Sequence, residues 1–420
     1  MSRLTASFRF SAQPTSARAV ASTSPSFTDP IYSDPLSFVS GMLWAHGTIS
    51  GLAADTNYYI AAEVNGDISQ ASVRQMRTPP AGAHSFSFVT ASCNRTRGTA
   101  FARDEVWQVI RERVIAEGHE FLCHMGDWNY EDLITTDPRD FATLLDGFTM
   151  DPAVAEVLEV CLILLIVDDH CWGPDNNARD NPSIPANQIF ARGCWPHDPD
   201  AVAFAAGSVD WSLVRGRVRF IGMDVRSNRE PRGTDPAAVK DMLSPEQVAW
   251  FHAEVDAAKA AGQVIIWFMG VPWSSQFNAL KDDWGGYAAQ RDALAAYIAG
   301  EGMINSVLII HGDMHNVCAD LPPNFSPHNS ADPIPLFCFA PFDTAGSIKG
   351  HDPVSNPYSH PPNEATATEN TVSQFGEVYV TDTGGATIAV RGVGRRLTVF
   401  TTTHSVILDE TVTLTVGGVE

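Results

Sequence analysis

Six short, nearly unbroken apolar runs constrain this chain more than any other feature. They are Phe86–Ala91, Glu120–Met125, Leu162–Val167, Val218–Met223, Val264–Met269 and Val307–Ile310. A strand that is apolar along its whole length needs cover on both faces, and helices packed on a sheet supply it. Helical patterns lie between several of the runs. Ala102–Ala116 carries apolar residues at helical spacing, and Ser244-Pro245-Glu246-Gln247 opens Val248–Ala261 with an N-cap and a first-turn proline. Tyr287–Ala299 is alanine-rich and stops at Gly300. Alternating strand, loop and helix predict an α/β core.

Residues 1–80 follow a different rhythm. Short alternating stretches at Ala6–Phe10, Leu43–Ser50 and Tyr58–Val64 are separated by turn residues, as in a small all-β domain. Ile49 to Tyr59 resembles the turn and strand of a fibronectin or immunoglobulin-like sandwich, where a leucine and a tyrosine pin a corner. Thr78-Pro79-Pro80 reads as a stiff linker. A second domain then spans 84–420. Its last part, 373–420, returns to β character at Glu377–Thr381, Thr387–Arg391, Leu397–Thr401 and Thr411–Val416, strands that complete its sheets.

Composition excludes several classes. At 420 residues, with 44% hydrophobic and 18% charged, the chain is long and apolar enough for a deep core. Its net charge of −22, from 49 acidic against 27 basic residues, argues against a nucleic-acid partner, which needs clustered Lys and Arg. The seven cysteines, an odd number without CxxC spacing, form neither a disulfide framework nor a zinc knuckle. No run reaches transmembrane length. No export signal is visible at the N-terminus, which fits a cytoplasmic protein and the mature form of an exported one alike.

The chemistry lies where the runs stop. Phe86–Ala91 ends in Ser92-Cys93-Asn94, and Glu120–Met125 in Gly126-Asp127-Trp128-Asn129-Tyr130-Glu131-Asp132. Leu162–Val167 ends in Asp168-Asp169-His170, with Asp175-Asn176-Asn177 close behind. Val218–Met223 leads into Asp224-Val225-Arg226, with Arg229 following, and Val307–Ile310 into His311-Gly312-Asp313-Met314-His315. Functional groups gather outside the carboxyl ends of strands in α/β sheets. Taken singly, each residue has an ordinary reading: Cys93 as a buried thiol, Tyr130 as a packed aromatic, His170 and His315 as loop histidines, Trp128, Trp172 and Trp273 as core. Taken together, so many acids at one edge would repel unless cations neutralise them or some stay protonated.

These segments resemble the PhoD-like alkaline phosphatases among the calcineurin-like metallophosphoesterases. Gly126-Asp127-x-x-Tyr130 is similar to the GDxxY signature, and Gly312-Asp313-Met314-His315 to a GDxH variant of the usual GHxH. Asp168-Asp169-His170, Asp224-x-Arg226-x-x-Arg229, Leu243-Ser244-Pro245-x-Gln247-x-x-Trp250 and Asp283-Trp284-Gly285-Gly286-Tyr287-x-x-x-Arg291 follow in the same order. The likeness spans roughly Phe86 to Val393. It implies a four-layer metallophosphoesterase β-sandwich flanked by helices, after a small N-terminal all-β domain, and two metal ions. Cys93, Asp127, Tyr130 and His315 would hold an iron-like first ion. Asp127 would bridge to a second ion, helped by Asp313 and by the loop of Asp169, Asp175 and Asn176. Thiolate and phenolate suit ferric iron, while carboxylate and amide oxygens suit calcium or manganese. The usual histidine after the strand at Val264–Met269 is missing, which favours an oxygen-rich second site over a zinc pair. The sequence also departs at Cys171, where an acid is usual, and at Asp175, where an Asn ligand is common.

The expected reaction is hydrolysis of a phosphate ester, a small monoester or diester, by a metal-activated hydroxide. His170 is the expected proton donor to the leaving oxygen and Arg226 the expected holder of a phosphate oxygen. One alternative is a diesterase acting on phospholipid or wall polymer. A second is a non-catalytic module whose β domain binds a partner. A third is a metal-free hydrolase using Cys93 as nucleophile, for which no elbow sequence is present.

Overall fold

The computed structural model describes residues 2–94, 104–195, 207–233, 235, 238–344, 373–398 and 401–418. Within it the apolar runs become the central strands of two six-stranded sheets. The first sheet runs in the order Leu162–Ile166, Phe121–Met125, Phe86–Ala91, Gln374–Thr381, Thr387–Leu397 and His404–Thr415. Its first three strands are mutually parallel and the rest antiparallel. The second sheet runs Trp211–Arg215, Val218–Met223, Val264–Met269, Val307–His311, Leu336–Phe339 and Val317–Asp320. Its four inner strands are parallel, and an antiparallel strand closes each edge. Within each sheet, the runs singled out in the sequence are parallel neighbours, so their carboxyl ends share one edge.

Apolar side chains explain the stacking. Phe88, Phe121, Met125, Phe220, Ile266, Phe268 and Ile310 share one buried cluster that joins the two sheets. Phe88 stacks on Phe121 at 4.7 Å, and Phe220 on Phe268 at 5.7 Å. Helices cover the other faces. Asp104–Glu117, Pro138–Thr149, Pro152–Leu158 and Ile184–Cys194 contribute to a cluster with Val89, Ala91 and Leu122 of the first sheet. Pro245–Ala260 and Ala288–Gly300 pack with Ile221, Ile265, Trp267 and Ile309 of the second. Trp128 and Trp172 belong to the first of these clusters and Trp273 to the second, so all three are core residues.

The C-terminal strands differ from expectation. The expected strands stop at Arg391 and resume at Leu397. The strand instead runs unbroken from Thr387 to Leu397. A side chain at Gly392 would meet the ring of Phe337, and one at Gly394 would meet Val317, so these glycines admit the neighbouring sheet rather than end the strand. Positions 399–400 of the expected Leu397–Thr401 strand lie outside the described residues, as do 102–103 of the expected Ala102–Ala116 helix.

The N-terminal part is all β. Ser2–Arg9 pairs with Trp44–Leu52, and a second sheet joins Ile31–Pro35, Ala17–Ser22, Asn57–Val64, Asp67–Ile68 and Arg74–Arg77. Leu52 is buried at the corner the sequence marks, and the Tyr58 hydroxyl accepts the Ala53 N–H at 3.0 Å. These strands sit directly on the helices of the larger part. The Arg9 guanidinium binds the Asp146 carboxylate, Trp44 Nε1 donates to the same carboxylate at 2.7 Å, and Met42 and Trp44 join the cluster of the first sheet. Among the described residues no helix is long and apolar enough to cross a membrane.

Candidate metal centre

The two sheets deliver their loops to one place because small residues let the strand ends close up. Gly126 has φ +93°, and a Cβ there would lie 2.4 Å from the Asp168 Cβ on the neighbouring strand end. Gly312, from the second sheet, faces Ser92 of the first, where a Cβ would lie 2.4 Å from the hydroxyl. Two backbone bonds stitch the first loops side by side, Cys93 N–H to Gly126 O at 3.1 Å and Asn94 N–H to Asp127 O at 2.7 Å. Among the described residues nine non-glycine positions have left-handed backbone, and six of them are here: Cys93, Asp127, Asp132, Asn176, Asp313 and His315. Each such residue carries a conformational cost, and such residues concentrate where the surrounding fold enforces a functional geometry.

The side chains converge as their positions on the strand ends suggest. The Tyr130 hydroxyl lies 3.2 Å from Asp127 Oδ2 and 3.3 Å from His315 Nε2. Cys93, Met314 and Tyr130 pack together against Cys318 and Cys338. Asp127, Asp169 and His170 each offer one donor atom, and these atoms lie within 4.8 Å of one another. The His170 backbone N–H donates to both carboxylates, to Asp127 Oδ1 at 3.2 Å and to Asp169 Oδ1 at 3.0 Å. Asn176 N–H donates to Asp169 Oδ2 at 2.6 Å. Asp313 is buried, whereas the Asp175 side chain is 69% exposed and stands at the rim, 3.9 Å from His170 Nε2.

The two arginines are as buried as the acids. Arg226 Nε binds Asp168 Oδ1, and its guanidinium also lies 3.6 Å from Asp169 and 3.5 Å from Asp282. It faces carboxylates, not open space. Arg229 donates to the backbone carbonyls of Asp282, at 2.6 Å, and of Asn176, at 2.7 Å, and so pins the loop that carries Asp175 and Asn176. Arg291 likewise donates to the carbonyls of Ser275 and His328, at 3.0 and 3.1 Å, and pairs with Asp292. Three participants went unassigned in the sequence: Asp168, Asp282 and Asp132. Asp168 and Asp132 stand in the strand-end segments already quoted, and Asp282 directly precedes the Asp283–Arg291 motif. Only the folded loops say what each touches.

Electrostatics describe a cage of anions. Burial raises the Asp127 carboxyl well above its usual range, and Asp169, Asp168 and Asp313 add to this. Burial also raises the Cys93 thiol and the Tyr130 phenol, reinforced by Asp127 for Cys93 and by Cys93 and Asp127 for Tyr130. Burial pushes Asp169 up as well, but Arg226, His170 and the Asn176 N–H outweigh it and hold the carboxyl below its usual range. Asp168 rises to about 6, through burial only partly offset by Arg226. Among the described residues its Oδ2 is buried without a hydrogen-bond partner. The Cys93 thiol, the Tyr130 phenol and the Asp127 carboxyl, each costly to ionise here, stand beside imidazoles and further carboxylates, and this is a donor set that cations make tolerable. The residues fit metal ions.

Residues 211–391 match the PhoD-like phosphatase family. That match and the fold likeness below support a PhoD-like assignment. The match supports a hydrolase acting on phosphoric esters. Its fold is similar to the solved structure of PhoD, with a TM-score of 0.66 at 14% identity, over 95% of this chain and 86% of that one. Weaker likenesses link it to a dimetal phosphatase from Danio rerio, with a TM-score of 0.42 at 14% identity over 79% of this chain and 98% of that one. Another is GAP50, the anchor in the inner membrane complex of Plasmodium, with a TM-score of 0.44 at 11% identity over 79% and 89%. No curated protein matches the chain by sequence. The PhoD-like match begins at Trp211, so of the strand-end loops it takes in those of the second sheet, with Asp224, Arg226, Asp313 and His315.

Proposed function

We propose that the strand-end cluster is a two-cation centre at which the chain hydrolyses small phosphate esters. The observation that carries this is the meeting of Asp127, Asp169 and His170 donor atoms within 4.8 Å, in one buried place with Cys93, Tyr130 and His315. Cys93, Asp127, Tyr130 and His315 would hold the first ion, which suits iron. Asp127, Asp169, Asp313 and Asn176, with Asp175 at the rim, would hold the second, which suits calcium. When bound, the cations supply a hydroxide nucleophile near neutral pH and neutralise charge on the phosphoryl and leaving oxygens.

The chain's own residues set the geometry. His170, whose side chain is 15% exposed, is the residue we assign to give a proton to the leaving oxygen. Arg226 is fully buried against Asp168 and Asp169, which supports a bracing role for it in place of direct contact with phosphate. The packing of two sheets between helices and the all-β N-terminal strands also favour the four-layer and immunoglobulin-type architecture and the division near residue 80.

The test is Asp127→Asn in protein purified without chelator. It should lose bound metal and at least about a thousandfold in kcat, since it removes an interaction acting on the nucleophile and the developing charge together. Wild-type metal content with full turnover in that variant would overturn the proposal.

A further inference from the structure

All seven cysteines are buried and free, and two of them face each other. In the second sheet Val317–Asp320 pairs antiparallel with Leu336–Phe339, and the register sets Cys318 directly opposite Cys338. Directly opposed residues of an antiparallel pair send their side chains to one face, with Cα atoms about 4.5–5.5 Å apart. A disulfide spans about 4.4–6.8 Å between Cα atoms, so this pair can be bridged with the strands where they are. The faces agree. Val317, Ala319, Phe337 and Phe339 alternate with the two cysteines and point into the cluster between the sheets. Cys318 and Cys338 lie together in the small cluster with Cys93 and Met314. No other two cysteines are opposed in this way. Cys123 stands beside Thr90 and Leu164, and Cys93, Cys161, Cys171 and Cys194 lie outside the strands. The odd count argues against a framework of disulfides, not against a single bridge.

The Cys338 thiol has a second connection. It donates to the Asn316 carbonyl at 3.4 Å and lies 3.8 Å from the Gly312 carbonyl, and these two residues bracket Asp313 and His315. The S–H thus props the loop 312–316 from below. We propose that Cys318 and Cys338 form a redox-sensitive disulfide site, and that closing it withdraws this support from the loop. The oxidant is a hydroperoxide. One sulfur takes the terminal peroxide oxygen as the O–O bond breaks, giving a sulfenic acid and an alcohol, or water from hydrogen peroxide itself. The second sulfur then bonds to the sulfenic sulfur, and the displaced hydroxyl leaves as water with the second thiol's proton. Each sulfur is oxidised by one electron and the peroxide is reduced by two. Both thiols are fully buried, so the reagent enters when the strand Val317–Asp320, four residues at the edge of its sheet, opens. The strand pairing selects Cys318 over Cys93 as the partner, because Cys93 hangs from the other sheet and no register holds it opposite Cys338.

The full chain treated with hydrogen peroxide, then alkylated in denaturant, should lose two of its seven alkylatable thiols. Peptide mapping should find Cys318 linked to Cys338 by a bond that dithiothreitol cleaves. Amide hydrogen exchange across residues 312–316 should quicken by roughly threefold in the bridged chain, for the loss of one weak buried hydrogen bond, and slow again on reduction. Cys318→Ala and Cys318→Ser should each keep all their remaining thiols under the same treatment, with no quickening in the loop; two replacements guard against a folding defect in one. Seven thiols intact in the treated wild type, a bridge from Cys338 to Cys93, unchanged loop exchange in the bridged chain, or a loop response that persists in both Cys318 variants would each overturn the proposal. None of these readouts involves turnover, so their failure leaves the phosphoesterase reading where it stands.

Discussion

Asp127 and Glu377 are both buried carboxylates, and their surroundings treat them in opposite ways. Asp127 has acids for neighbours and is driven toward its protonated form. Glu377 accepts from Arg113 Nε at 2.5 Å, Arg395 Nε at 2.6 Å, the Tyr379 hydroxyl at 3.1 Å and His119 Nε2 at 3.4 Å. Burial raises its carboxyl, but those bonds outweigh burial and hold it far below the ordinary value of 4.5. A depressed carboxylate adds stability above its unfolded value and loses that contribution as pH falls toward its folded one. Glu377→Gln should therefore cost about 3 kcal/mol at pH 7, since it strands two buried or half-buried guanidinium groups. The gap to the wild type should narrow steadily below about pH 4.5. Urea midpoints at several pH values would show it, and a gap constant from pH 7 to pH 3 would contradict the account. At this scale the sequence discloses which side chains stand at the strand ends, because a polar residue after an unbroken apolar run is conspicuous. It does not disclose that Arg226 faces Asp168 or that Asp132 faces His170, since those pairs depend on backbone turns that residue order leaves open.

Among the elements, helix Pro245–Ala260 links packing to the site. Ser244 caps it, and Gln247 completes the capping box by accepting the Ser244 N–H at 3.1 Å. The same Gln247 side chain donates to both Asp210 oxygens, at 3.2 and 2.9 Å, and to the Asp224 carbonyl at 2.8 Å. Asp224 Oδ1 in turn accepts the N–H groups of Arg226 and Ser227, both at 3.0 Å. The helix start thus anchors the loop that carries Arg226. Ser244→Ala removes only a cap and should cost about 1 kcal/mol. Gln247→Ala also removes two bonds to the buried Asp210, which keeps only the Ser208 hydroxyl and the Asp224 N–H, and should cost about 2 kcal/mol; equal shifts in urea midpoint would contradict this. The cap was legible in Ser244-Pro245-Glu246-Gln247. Helices Pro138–Thr149 and Pro152–Leu158 begin with the same kind of signal, Asp137 and Asp151 before proline with side chains on the first N–H groups; the first also buries Phe141, Ala142, Leu145 and Phe148 at helical spacing, whereas the second spans only seven residues. Strands Val317–Asp320 and Leu336–Phe339 are only four residues long. Too little pattern accumulates over that length to separate them from loops.

Across the whole molecule, the N-terminal strands are less separate than a prolyl linker suggests. Trp44 and Met42 sit in the same cluster as Trp107 and Phe148, and His46 binds the Arg192 carbonyl at 2.8 Å. Burying an indole and a thioether there ties the unfolding of the small part to that of the large one. Heating the full chain should give one cooperative transition, and a chain lacking residues 1–80 should melt lower; two resolved transitions in calorimetry would mean that the parts unfold independently. Sequence composition marks the change of rhythm near residue 80, but a contact between Trp44 and Asp146, 102 residues apart, leaves no local trace. The same distance in sequence matters for the cluster itself. Cys93, Asp127 and Asp169 hang from one sheet, while Asp313 and His315 hang from the other. An ion seated among them would act as a rivet through both halves of the sandwich, so its loss would loosen the seam between the sheets as well as silence the mouth.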